Sequence, residues 1–107
     1  MKDEPVLLYT TYPSVVEAEK AGRKIVEAGL AACVNVIPGM RSIYRWQGKV
    51  EQAEEAVMIV KTRRMLAGEA IDMVKAEHSY DTPAAIVLPI LGGSQPYIGW
   101  IMQETKK

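Results

Sequence analysis

The chain is predicted to fold as α+β, with two helices laid on one face of a four-stranded antiparallel sheet. Three observations predict it. β-rich runs and helical patterns follow one another as strand, helix, strand, strand, helix, strand. A Gln47-Gly48 pair turns one strand directly into the next. Prolines at 38 and 89 mark the second and fourth strands as edges, where a residue without an N–H is tolerated.

Val6 to Tyr12 is the first strand, ended by Pro13, and Ser14-x-x-Glu17 supplies the capping box of the first helix. Val15, Ala18, Ala21 or Gly22, and Ile25 mark its apolar side, and Gly29 is its C-terminal stop. Residues 32 to 46 form the second strand, broken at Pro38-Gly39, where a bulge or an edge position is expected. The third strand runs from Lys49 to Thr62. Its stretch from Ala56 to Val60 is apolar without alternation, so both faces of the sheet should be covered there.

Leu66, Ala70, Met73 and Val74 set the period of a second helix over Leu66 to Glu77. After the Asp81-Thr82-Pro83 turn comes a fourth strand, Ala84 to Leu91. Ser94 and Pro96 then open a short C-terminal helix with Tyr97, Trp100 and Ile101 on one side. The β-α-β-β-α-β order is the ferredoxin-like arrangement, in a single domain over 1–107.

The hairpin is too long for its own domain. The 14 residues from Lys49 to Thr62 would span roughly 46 Å at about 3.3 Å each. A compact chain of this length has an equivalent sphere only about 33 Å across. The arm, with Tyr44 and Trp46 near its tip, is therefore expected to pack on another subunit. The sheet face opposite the helices also needs a partner, and a closed ring satisfies both requirements, here read as a cyclic trimer.

Thirteen basic residues balance thirteen acidic ones, and the only basic runs are Lys61-Thr62-Arg63-Arg64 and Lys106-Lys107. That argues against nucleic acid as a partner. No stretch reaches the roughly 18 apolar residues of a membrane span, and the polar start has no secretory pattern. A lone cysteine points to a reducing, cytoplasmic setting. No cofactor is needed for folding, and no nucleophile–base motif, Walker loop or dinucleotide fingerprint is present. The expectation is a protein that is not an enzyme.

Five motifs carry a family resemblance: Leu30 through Gly39 (LAACVNVIPG), Ser42-Ile43-Tyr44-x-Trp46-x-Gly48-Lys49, Lys61-Thr62, His78-x-Tyr80-x-x-Pro83, and Pro96-Tyr97-x-x-Trp100. Together they resemble the CutA divalent-cation tolerance family over nearly the whole chain. The resemblance implies a tight homotrimer built from long hairpins, similar in architecture to PII signalling proteins and linked to tolerance of copper and other divalent cations. It also implies an inter-subunit cleft lined by Trp46, Glu55, Lys61 and Tyr80. Where many members read His-Pro-Tyr this chain has His78-Ser79-Tyr80, and Ala84 stands where an acidic residue often follows the proline.

Each candidate has a functional and a plain reading. His78, the only histidine, can ligate copper or zinc, or can sit at a helix end bonded to a carbonyl. Cys33 can offer a soft thiolate to copper, or serve as a small buried hydrophobe. Lys61 can hold a small anion, as a PII-like signalling module would require, or form an interface salt bridge. Tyr44, Tyr97 and Trp100 are read as interface and packing residues. Gly92-Gly93-Ser94 is read as a turn. A trimeric scaffold with no ligand is the third functional reading.

Overall fold

The structure is a computed structural model that describes residues 3–105; Lys106-Lys107 lie outside the described residues. Its elements are β1 (Pro5–Tyr12), α1 (Val15–Glu27), β2 (Cys33–Trp46), β3 (Lys49–Arg63), α2 (Arg64–Ala76), β4 (Ala85–Pro89) and α3 (Gln95–Glu104). The four strands form one antiparallel sheet in the order β2-β3-β1-β4. This is the ferredoxin-like topology, with the strands that carry Pro38 and Pro89 at the edges.

The local signals act as their chemistry requires. Ser14 caps α1, its Oγ accepting the Glu17 N–H at 3.2 Å. At the other end Gly29 adopts φ 76°, Leu30 N–H donates to the Ile25 carbonyl and Gly29 N–H to that of Val26. Those two bonds define a Schellman stop. Gln47 (φ 49°) and Gly48 (φ 81°) are both left-handed, as a two-residue I′ hairpin turn demands.

β4 is shorter than the expected Ala84 to Leu91. Pro89 pairs with Val6 as the last rung, and a residue without an N–H cannot extend the ladder. α2 begins two residues earlier than its apolar period suggested, at Arg64, whose N–H is bonded to the Glu4 carbonyl. Ser94 precedes α3 without a side-chain capping bond, so Pro96 in the first turn is the effective start signal.

The core lies between the sheet and the two helices. Leu8 and Tyr12 of β1 and Ala56, Met58 and Val60 of β3 meet Ala18, Ala21, Ile25, Ala70 and Val74. Each large apolar side chain buried there contributes about 1.5–3 kcal/mol. Gly22 belongs to the same contact because Val34 and Met58 leave no room for a side chain. α3 buries Ile101, while Lys61 and Arg63 of β3 reach up to it. Arg63 also pairs with Asp3 at 3.2 Å, donates to Thr105 Oγ1 at 3.0 Å and bonds the Met102 carbonyl.

α3 covers the Lys61 end of the opposite sheet face, and the rest of that face is left open. Ile37, Ile86 and Leu88, which point there by register with β3 and β1, are 48%, 53% and 43% exposed. The β2–β3 hairpin runs past the helices, and the subunit measures 44 × 26 × 25 Å, as the excess arm length anticipated.

Candidate functional site

The site is built by a bulge. Between Ile37, which faces Val57, and Met40, which faces Glu55, β2 advances three residues while β3 advances two. Gly39, at φ 79°, absorbs the extra residue. Because side chains alternate along a strand, the slip brings Met40, Ser42, Tyr44 and Trp46 onto the same face as Glu55. Without it they would point to the helix side.

Glu55 is the centre of that face. Ser42 Oγ donates to its Oε1 at 2.6 Å, and the Tyr80 hydroxyl donates to its Oε2 at 2.7 Å. Burial and the bond to Glu55 push the Tyr80 phenol up to about 12, so it stays a donor at any ordinary pH. Glu55 and Tyr80 line a groove of about 800 Å³ together with Tyr9, Tyr44, Trp46 and Asp81. That volume is in the range of small-molecule sites.

Tyr80 is placed by a strap, residues 77 to 84, crossing the end of β1. Glu17 accepts the Ser79 N–H at 2.9 Å, and Lys24 pairs with Glu77 at 3.0 Å. His78 is the strap's anchor. Its side chain has no solvent exposure, and its ring stacks on Tyr12 with centroids 4.2 Å apart. Nε2 lies 2.6 Å from the Thr11 carbonyl, and Nδ1 accepts the Tyr80 N–H at 3.0 Å. The neutral tautomer protonated at Nε2 satisfies both contacts.

These contacts leave His78 no free ring nitrogen for copper or zinc. Cys33, the other candidate ligand, is half-buried on the open face, not sealed in the core, because β2 is an edge. It pairs with Lys61, four rungs from the Thr11–Val57 pair that lies beside His78, a separation of roughly 13 Å. Among the described residues no group of three or more His, Cys, Asp or Glu could hold a metal ion. The donors within one subunit do not fit a resident copper centre.

Within one subunit, Trp46, Glu55 and Tyr80 of the four expected cleft residues come together, and Lys61 lies apart from them. Lys61 lies six residues further along β3, about 20 Å away. Its Nζ donates to the Tyr97 hydroxyl at 2.8 Å, the contact that chiefly raises its pKa. Tyr97 in turn packs against Trp100 at 5.5 Å, and both rings are near 40% exposed. Sequence reasoning missed Ser42 and Glu17. Ser42 was findable from the bulge, by counting the face change at Pro38-Gly39; Glu17 was visible only as a capping-box residue.

Comparison with known proteins agrees with the motifs. The family described as CutA1 divalent ion tolerance protein matches residues 6–104. The divalent-cation tolerance protein CutA of Archaeoglobus fulgidus is 46% identical over 94 residues, covering 88% of this chain and 91% of its own. The chloroplastic protein CutA of Arabidopsis thaliana is 42% identical over 101 residues, or 94% of this chain, and this chain spans only 56% of its length. The crystal structure of CutA1 from Oryza sativa superposes with a TM-score of 0.94 at 38% identity, covering 97% of this chain and 95% of that one. With sequence, topology and backbone in agreement from β1 to α3, the chain belongs to the CutA1 divalent ion tolerance family.

Proposed function

We propose that this chain acts in divalent-cation tolerance as a homotrimer, binding a small ligand in the groove of Trp46, Glu55 and Tyr80 at the boundary between subunits. The observation that carries the reading is the open sheet face. Ile37 on the hairpin and Ile86 and Leu88 on β4 lie exposed on the face that carries that groove. Exposed apolar side chains on both edges of one sheet face mark it as an interface. A face whose two ends differ, Glu55 at one and Lys61 with Tyr97 at the other, suits a head-to-tail contact that closes into a ring.

The role is read as binding, not catalysis. His78, the one imidazole, is held on both nitrogens, and Cys33 is absent from the groove. The link to divalent cations is proposed at the level of the family, with no copper site assigned to His78 or Cys33. A reducing compartment such as the cytoplasm is proposed on the one free thiol. Among the described residues no helix is long and apolar enough to cross a membrane.

Sedimentation equilibrium on the purified chain tests the reading. One species near three times 11.8 kDa is expected. A monomer at micromolar concentration would overturn it.

A further inference from the structure

We propose that His78 makes the 77–84 strap a proton-sensitive latch: a second proton on its ring releases the Tyr80 backbone and, with it, the hold of Tyr80 on Glu55. The His78 side chain has no solvent exposure within one subunit, so every contact of the ring is made inside the chain. The latch therefore depends neither on the trimer nor on a ligand in the groove.

In the closed strap both ring nitrogens are engaged, and in opposite senses. Nε2–H donates to the Thr11 carbonyl at 2.6 Å, and Nδ1 accepts the Tyr80 N–H at 3.0 Å. The one place left for a second proton is Nδ1, and a doubly protonated imidazole has two donors and no acceptor. Nδ1–H would then face the Tyr80 N–H, donor against donor. The closed strap requires the neutral ring.

The surroundings receive the charged ring once the strap has moved. Glu17 Oε2, from α1, lies 3.8 Å from Nδ1 and in the closed strap accepts the Ser79 N–H at 2.9 Å. A charged Nδ1–H competes for that same oxygen, so one proton loosens two successive strap amides, those of Ser79 and Tyr80. Glu77, on the strap itself, is engaged by Lys24 of α1 at 3.0 Å. Tyr12 of β1 and Tyr80, the two rings against His78, are phenols pushed up to about 12 and keep their protons.

Tyr80 carries the change to the groove. Its N–H is held by His78 and its hydroxyl donates to Glu55 Oε2 at 2.7 Å, so freeing the backbone removes the anchor of the side chain. An imidazole ordinarily takes its second proton between about pH 8 and about pH 5. Because the open strap accepts that proton and the closed strap excludes it, falling pH favours opening.

His78 is the only histidine in the chain, so its ring can be followed without ambiguity. Heteronuclear NMR on the full chain tests the latch, recording the ring nitrogens and the hydrogen exchange of the Tyr80 amide from about pH 8 to about pH 5. The ring should pass from the neutral form protonated at Nε2 to the doubly protonated form. Tyr80 protection, corrected for the pH dependence of free amides, should fall by about tenfold or more with the same midpoint. In His78→Asn, whose Oδ1 can keep the acceptor in place of Nδ1 and gains no proton, Tyr80 protection should be flat over that range. A ring that stays neutral throughout, protection unchanged while the ring titrates, or an equal fall in His78→Asn would each overturn the proposal. If His78→Asn does not fold, the wild-type titration decides alone.

Discussion

Ser42 Oγ and Glu55 Oε1 lie 2.6 Å apart although the two residues are not partners in the ladder. Met40 faces Glu55, and Ser42 faces Ala53, so the contact is a diagonal one. Ser42→Ala is expected to lower stability by about 1 kcal/mol. Urea unfolding of Ser42→Ala, Glu55→Gln and the double variant should show coupling, with the double loss smaller than the two single losses added together.

Deleting Gly39 should do more than shorten the strand. The ladder would return to two residues against two, and Ser42, Tyr44 and Trp46 would turn toward the helix side. Loss of the groove with retained far-UV circular dichroism is expected. Trp46 fluorescence, measured in a Trp100→Phe background, should shift relative to the undeleted chain.

Two tyrosines give the protein an alkaline limit. Burial, with the Glu17 charge second, pushes Tyr12 up to about 12, and Tyr80 stands at about 12 for burial and its bond to Glu55. The unfolded chain therefore loses these protons first, near 10.0, while the folded one keeps them. Their contribution is complete below pH 10 and is lost as pH rises toward about 12. The urea midpoint should be steady from neutrality to pH 10 and fall above it, less steeply in Tyr80→Phe.

Gly22 sits mid-helix, where alanine would ordinarily stabilise. Here an added Cβ would lie 2.7 Å from Val34 Cγ2 and 3.0 Å from Met58 Sδ. Gly22→Ala is expected to destabilise by about 1–3 kcal/mol, as overpacking does. Gly68, with nothing within 4 Å of its added Cβ, is the matched control in α2 and should gain stability on the same change.

The proposed trimer depends on the open face. Ile86→Lys places a charge on β4 at a position 53% exposed in the single subunit, so the isolated fold should tolerate it. Sedimentation should shift from trimer to monomer. An unchanged trimer would show that β4 lies outside the interface.

The fold was legible because its signals are local. Ser14 with Glu17, Gly29, and Gln47-Gly48 each specify a backbone event within a few residues of themselves. The site was legible only where a motif carried it. The Pro38-Gly39 break was visible, but its effect on which way Ser42 and Tyr44 point depends on register with β3. The sealing of His78 depends on Tyr12, 66 residues earlier in the chain, stacking on its ring. Lys61 shares a strand and a face with Glu55, yet extended backbone separates them by about 20 Å.

Arg63 gives the chain a property unrelated to ligands. Its guanidinium holds Asp3 on one side and Thr105 on the other, so the segment before β1 and the segment after α3 meet on one side chain. From Asp3 to Thr105 the backbone is in effect a loop closed by hydrogen bonds. A short linker between those two residues, with the chain opened at Gly92-Gly93, should give a circular permutant that keeps all four strands in place.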